Sequence, residues 1–379
     1  MNILWLTENY PPQRGGMAQS CDRIVDGLRK LGYTINVLHF TSRETPFQFI
    51  QQLNGSYAAV PFEESEAHTL NRTWEFVRHK PISALVCFGG YLPMLAAPVF
   101  SRWLTVPLLT MVRGNDFDSS VFTPRKRDIM RDALEASRLV SAVSKDKVEK
   151  IQLLYPQVNV QFVPNGIDTE SWNPSASELL FSEKWKSEHS KNRICIGLFG
   201  QLKAKKGVFF LLEALRESSV LEKIHFLLIG ETSDDVQQVL ASNKFSFTSF
   251  PFLDRYELLR YYLCCDAVAI PSFYDGMPNV LLEAGALGIP VLASETGGMK
   301  DVIRNQQNGF LFPPGDASAC LKTFFDFVNL SHEKRKQVGE ALQSTIEGSY
   351  TVKHEITHYE QLLKTLLDTN RTAVRLHIQ

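Results

Sequence analysis

The sequence predicts an α/β protein made of two doubly wound units in tandem. Three observations predict it. The apolar runs are short and continuous, as in parallel strands covered on both faces. Amphipathic stretches of helical period separate them. The alternation stops over residues 175–192, a polar stretch behind the turn cluster Pro164-Asn165-Gly166, and then restarts. A chain of 379 residues suits two domains of ordinary size better than one core.

In the first half, strands are expected at 2–7, 35–39, 84–87, 107–112, 139–143 and 161–163. Helical patterns fill 19–31, 69–79, 124–135 and 145–155. After the break, strands are expected at 194–199, 225–229, 267–270, 290–293 and 309–312, with helices at 207–216, 254–263, 279–287 and 317–329. Two further helical patterns run over 332–347 and 352–367. The domains are therefore placed at 1–170 and 190–350, joined by the polar stretch. In this architecture ligands sit outside the carboxyl ends of the strands, so the expected site is a cleft faced by both units.

Composition narrows the function. A net charge of −1 draws the chain to neither nucleic acid nor membrane, and no block of like charges reads as a tail. Residues near Met1 lack a basic leader and a cleavage site. Pro93, Pro98, Arg102 and Pro107 interrupt the apolar stretch 84–111, so no membrane span is expected. The six cysteines are scattered, and adjacent Cys264 and Cys265 suit neither a disulfide framework nor a zinc site. A cytoplasmic protein with buried, reduced thiols is expected, with no metal.

Three loops carry candidate chemistry. Pro11-Pro12-Gln13-Arg14-Gly15-Gly16 joins the first strand to the first helix. Its glycines let backbone N–H groups approach an anion, although an ordinary turn has the same look. Gly200-Gln201-Leu202-Lys203-Ala204-Lys205-Lys206-Gly207 also follows a strand and opens a helix. Its lysines add charge where a helix start already favours phosphate; a solvated basic loop is the plain alternative. The third is Pro271-Ser272-Phe273-Tyr274-Asp275-Gly276-Met277-Pro278-Asn279, followed by Glu283 on the next helix. Pro278 fits a first helical turn. Asp275 and Glu283 can accept hydrogen bonds from two hydroxyl-bearing parts of one ligand, or Asp275 merely caps the helix.

These motifs, with Val163-Pro164-Asn165-Gly166-Ile167-Asp168 and the seven residues between Asp275 and Glu283, resemble glycosyltransferase family 4, of the GT-B fold, along nearly the whole chain. The resemblance implies two Rossmann-like domains facing across a cleft. It also implies a C-terminal helix, within 352–379, crossing back to the first domain; Ile356, Leu362, Leu363 and Leu366 would pack there. It implies a metal-independent, retaining transferase that takes a nucleotide-diphosphate sugar, a UDP- or GDP-sugar, and needs no cofactor. Lys206 matches the lysine on the donor diphosphate, Glu283 the glutamate on the ribose, and Asp275 the acidic residue near the donor sugar. Gly276, Met277, Pro278 and Asn279 match the segment facing sugar and diphosphate, and Gly15 and Gly16 the phosphate-side loop.

Three positions depart from the pattern. Gln201 stands where an arginine is usual, Asp275 is one methylene short, and Arg113 replaces a histidine. Arg113 and Asp116 follow a strand end and are expected at the cleft, on phosphate, acceptor or donor hydroxyl. An internal pairing of the two is the alternative. Asp116-Phe117-Asp118 spells a metal-binding Asp-x-Asp, a reading the downstream motifs oppose. The expected acceptor is a hydroxyl of a glycan, a glycolipid or other lipid-linked sugar, or a small molecule, and the residues do not choose among them. Phe117, Val121 and Phe122 with Arg125, Lys126, Arg127 and Arg131 could touch an anionic membrane, or their charges could pair locally. A glycoside phosphorylase and a degenerate sugar-nucleotide binder are the rival functions.

Overall fold

The computed structural model describes residues 1–241 and 245–376, so residues 377–379 of the expected final helix lie outside it. It divides into two compact units: Met1–Asn165 with the segment from Val352 onward, and Gly166–Thr351.

The first unit runs β1 (Asn2–Thr7), α1 (Gly16–Lys30), β2 (Thr34–Thr41), β3 (Gln48–Gln52), β4 (Gly55–Pro61), α2 (Glu66–Val77) and β5 (Ala84–Phe88). It continues with α3 (Tyr91–Leu104), β6 (Leu108–Val112), α4 (Asn115–Ser120), α5 (Pro124–Ala136), β7 (Leu139–Ala142), α6 (Lys145–Leu154) and β8 (Val160–Phe162). The sheet order is β3-β4-β2-β1-β5-β6-β7-β8, parallel except for the edge strand β3. Successive residues of β1 serve opposite faces: Leu4 and Leu6 join the core under α3 and α5, while Ile3 and Trp5 join the core under α1.

The second unit runs α7 (Ala176–His189), β9 (Ile194–Phe199), α8 (Val208–Leu215), β10 (Ile224–Ile229), α9 (Asp234–Ala241), β11 (Phe247–Phe250) and α10 (Arg255–Tyr262). Then come β12 (Ala267–Ile270), α11 (Asn279–Ala286), β13 (Val291–Ser294), α12 (Gly298–Val302), β14 (Phe310–Phe312), α13 (Ala317–Val328) and α14 (His332–Ser349). Its six strands are all parallel, in the order β11-β10-β9-β12-β13-β14. The last helix, α15 (Val352–Leu376), belongs to the first unit. Its Ile356, Tyr359, Leu362, Leu363 and Leu366 complete the core beneath α1.

Beyond α4, α9, β11 and α12, which were not expected, four features differ from the sequence expectation. The hairpin β3–β4 was not expected, because its edge strand is exposed throughout and gives no burial period. Residues 91–104 form α3 despite Pro93 and Pro98: Pro93 sits in the first turn, where no N–H is needed. The polar stretch 175–192 is mostly helix, opened by a capping box between Ser175 and Glu178 and anchored by buried Trp185. The unit boundaries fall at 165/166 and 351/352, so this helix belongs within the second unit.

Candidate active site

In the second unit the strand order reverses between β9 and β12, the position where such sheets open a crevice. These strands pair at only two positions, Ala267 with Ile196 and Val268 with Gly197. The loops leaving β9 and β12 are the lysine loop and the Ser272–Pro278 segment.

The lysine loop is folded tightly onto its neighbours. Gly200 N–H donates to Ile229 O at 2.9 Å and Leu202 N–H to Glu231 O at 2.8 Å. Residues Ala204–Lys206 form a 3₁₀ turn that ends on Gly207 with φ 66°. A Cβ at Gly207 would sit 1.9 Å from the carbonyl oxygen of Pro271, so only glycine lets this turn lie against the end of β12. Phe273 N–H then donates to Lys205 O at 3.0 Å, locking the two loops together.

That packing brings Lys206 and Asp275, 69 residues apart, into a direct ion pair between Nζ and Oδ2. The pair is partly open to solvent, with side-chain exposures of 27% and 16%. Asp275 Oδ1 accepts the Gly276 N–H at 2.9 Å, and Ser272 Oγ–H reaches Oδ2 at 3.4 Å. Asp275 does not cap α11; the residue before the helix is Pro278, at φ −69° and ψ 134°, one place earlier than expected. Met277 is buried and Gln201 is exposed.

Glu283 lies in the second turn of α11 and is half-buried. Tyr262 O–H donates to its Oε2 at 2.6 Å. Tyr262 is fully buried, stacked on Phe199 at 4.0 Å and edge-on to Trp172 at 5.5 Å. Burial, reinforced by the Glu283 charge, pushes the Tyr262 hydroxyl well above its ordinary range. The phenol is thus a fixed donor that orients one carboxylate oxygen. Sequence reasoning missed Tyr262, since nothing near it in the chain marks it. It also missed Gly297 and Gly298, whose adjacent pairing was a visible signal. Gly297 has φ 49°, and a Cβ there would lie 2.2 Å from the Asp275 carbonyl oxygen. Gly298 N–H donates to Gly276 O at 2.6 Å, so this loop braces the Asp275–Met277 backbone from behind.

The first unit holds the remaining expected residues, and there the outcome differs. Gly15 and Gly16 open α1 at the end of β1, Gly15 with φ 122° and open space around its Cα. Arg113 does not face a ligand: its side chain is 2% exposed. Its guanidinium donates to Tyr359 Oη at 2.8 Å and to Asn165 Oδ1, lies 4.9 Å from the Phe88 ring, and is 3.9 Å from Glu355. The side chain is fully committed to the interior, which corrects the expectation of a phosphate or acceptor contact. Asp116 is likewise turned to its own loop, accepting the N–H groups of Arg113 at 3.0–3.1 Å and Phe117 at 3.0 Å. Burial raises its pKa against the pull of these donors. The pairing of the two is therefore backbone to carboxylate rather than guanidinium to carboxylate.

Asp118 pairs with Lys147 at 2.9 Å, and Lys147, 1% exposed, also meets Asp146 at 3.0 Å. Burial lowers the Lys147 pKa, but its two carboxylates outweigh that and raise it. Both acids of the Asp-x-Asp thus have internal partners, and no cluster of three metal-ligating side chains occurs among the described residues. Phe117 is in the core rather than on a membrane-facing surface. Arg125 pairs with Glu66, and Arg131 with Asp128 and Asp132. Phe122, Lys126 and Arg127 are exposed, as is Arg125 beside its partner. No helix among the described residues is long and apolar enough to cross a membrane.

Comparison with known proteins bears on the whole chain. The family described as "Glycosyltransferase Family 4" matches residues 14–171, and "Glycosyl transferases group 1" matches residues 181–345. The sulfoquinovosyl transferase of Arabidopsis thaliana is 27% identical over 70% of this chain; the match spans about half, 49%, of that relative's length. Sucrose-phosphate synthase from Thermosynechococcus elongatus superposes with a TM-score of 0.82 at 16% identity, covering 97% of this chain and 99% of that one. Anabaena HepE, solved in complex with UDP-glucose, superposes at 0.78 and 16% identity, covering 96% of this chain and all of that one. With two α/β units, a final helix returned to the first, and family matches covering most of its length, the chain belongs to the glycosyltransferases of family 4, with the GT-B fold.

Proposed function

We propose that this glycosyltransferase moves a sugar from a nucleotide-diphosphate donor to an acceptor hydroxyl with retention of anomeric configuration and without metal or cofactor. The observation that carries the reading is the grouping of Lys206, Asp275 and the Tyr262-oriented Glu283 around the loops leaving β9 and β12. Such a group can hold a diphosphate, a sugar and a ribose at once. The UDP-glucose bound by Anabaena HepE supports a UDP-sugar as the donor, with a GDP-sugar as the alternative.

In this mechanism the donor diphosphate draws the Lys206 ammonium away from Asp275. The ammonium then offsets the charge that grows on the leaving oxygen as the C1–O bond breaks, the point where a preorganised charge is most effective. Asp275, released from the lysine, accepts hydrogen bonds from sugar hydroxyls, and Glu283 accepts those of the ribose. The acceptor oxygen bonds to C1 on the face the diphosphate leaves, and its proton passes to the leaving phosphate oxygen. The Gly276–Asn279 segment and Gln201 line the donor position; Gly15 and Gly16 offer backbone amides to phosphate. The acceptor is a sugar or lipid-linked hydroxyl, and the enzyme works in the cytoplasm or at the inner face of a membrane.

A thermal-shift panel of UDP-, GDP-, ADP- and CMP-sugars tests the donor, because a ligand stabilises the fold more the tighter it binds. One nucleotide-sugar class should raise the melting temperature of the parent chain and not of Glu283→Ala. Turnover with that donor should persist in EDTA, and NMR of the product should give the donor's own anomeric configuration. Sugar release that depends on free phosphate and needs no nucleotide would replace the reading with a phosphorylase. Donor binding without turnover toward any hydroxyl acceptor would leave a sugar-nucleotide binder.

A further inference from the structure

The sheet of the second unit has another polar end. Where β9 and β10 begin, the turn 190–193, Glu222 and Lys223, and the junction between α13 and α14 enclose an open cavity of about 590 Å³. Lys191, Arg193, Lys223 and Arg335 line it against one carboxylate, Glu222. The six residues of β9 put this cavity about 20 Å from the lysine loop at the strand's other end. That exceeds the screening length of about 8–10 Å in physiological salt, so its charge does not serve the donor position.

The cations here are oriented by neutral oxygens. Arg193 Nε donates to Glu222 O at 3.2 Å and Nη1 to Ser246 Oγ at 3.0 Å. Arg335 Nη1 donates to Leu330 O at 2.9 Å, with its guanidinium 5.8 Å from the Phe327 ring. Lys223 Nζ donates to Asn329 Oδ1 at 2.8 Å. Among the described residues none of the four forms an ion pair, whereas nearby Lys186, Lys322 and Lys336 each meet a carboxylate. Arg193 and Arg335 are also half-buried, so their charge is held in place without being neutralised. Two preset guanidinium forks with free N–H groups match the oxygens of a phosphate, and little side-chain freedom remains to be lost on binding.

We propose that this cavity is a second anion site, distinct from the donor position, that takes a phosphate-bearing ligand. The shared chemistry is the phosphate group, carried by a free phosphorylated molecule or by an anionic lipid headgroup. Calorimetric titration of inorganic pyrophosphate into the full chain carrying Lys206→Ala, which removes the donor-side phosphate contact, tests it. One saturable site is expected, weakened about tenfold or more by Arg193→Gln with Arg335→Gln and weakened by about 0.5 M salt. Arg193→Lys with Arg335→Lys, which keeps the charge but not the fork, should fall between. Sedimentation with phosphatidylglycerol vesicles separates the sources. Vesicle binding lost in the Arg→Gln pair assigns the site to headgroups, and pyrophosphate binding without vesicle binding assigns it to a free phosphate. If the Arg→Gln pair does not fold, Lys191→Ala with Lys223→Ala, both exposed, should weaken the same site several-fold. Absence of binding to both probes, or an unchanged affinity in the folded variants, overturns the proposal.

Discussion

The two sheets reach their points of strand reversal in different ways. In the first unit, β1 and β5 pair at five positions up to Thr7 and Phe88. Beyond them Glu8 closes the crevice, its carboxylate accepting the N–H groups of Tyr91 at 3.1 Å and Leu92 at 2.7 Å at the start of α3. In the second unit, β9 and β12 pair at two positions, and the residues beyond them are half-exposed acids and a lysine. The first unit answers its loop polarity internally, as Arg113, Asp116, Asp118 and Lys147 illustrate. The second leaves its polar groups where a ligand can exchange for them. A charged motif after a strand therefore marks a site only when its partners can be given up.

The sharpest test of this contrast is Arg113→Ala. Glu355, at 0% side-chain exposure, keeps Arg23 at 2.7 Å, so the change removes a second, more distant cation and the buried hydrogen bonds to Tyr359 and Asn165, and typically costs about 1–3 kcal/mol. Urea unfolding should register that loss, while donor affinity per folded molecule stays near the parent value. Weakened donor binding at unchanged stability would break the contrast. Lys206→Ala should do the reverse. Turnover should drop by about 2.7–4 kcal/mol in barrier terms, roughly a hundredfold to a thousandfold, with little change in melting temperature.

Glu283→Ala comes next. Losing the charged acceptor proposed for the ribose should weaken donor binding by about 1.5–3 kcal/mol, read as a higher Kd with kcat less affected. Tyr262→Phe sharpens this, because it leaves the carboxylate but removes its fixed donor; a smaller rise in Kd is expected.

A separate effect, on stability rather than on the site, is in pH. Burial, with lesser contributions from His189 and Arg193, holds the His225 pKa down at about 4 against an ordinary 6.5. Between those values the unfolded chain binds the proton and the folded one does not. Stability from this group is therefore full above about pH 6.5 and is lost toward pH 4, at no more than about 1.4 kcal/mol per pH unit. His225→Gln should flatten the acid limb of the stability curve.

How far the sequence could be read follows the same divide. The parallel strands were legible because continuous apolar runs leave few alternatives, whereas Lys206, Asp275 and Glu283 were singled out by the resemblance of their loops to the family's motifs, since each loop alone also reads as an ordinary turn. The fate of Arg113 was not legible. Its partners Tyr359 and Glu355 lie some 240 residues away, and no local pattern announces a buried guanidinium. The polar stretch 175–192 was read as a joint because its helix has no one-sided apolar stripe: Leu179 and Leu180 are exposed, and only Trp185 and Ser182 are buried.

The return of α15 to the first unit also sets the order of events on the ribosome. Trp5, Ile24 and Leu28 are made early, but Ile356, Tyr359, Leu362 and Leu363, which cover them, are made last. The second unit, encoded wholly between them, can close as soon as Thr351 has emerged. At roughly 5–20 residues per second, the first unit waits on the order of ten seconds or more with one apolar face open. A chain cut before Val352 should thus spare the later-made unit and cripple the earlier one, leaving it a client for chaperones.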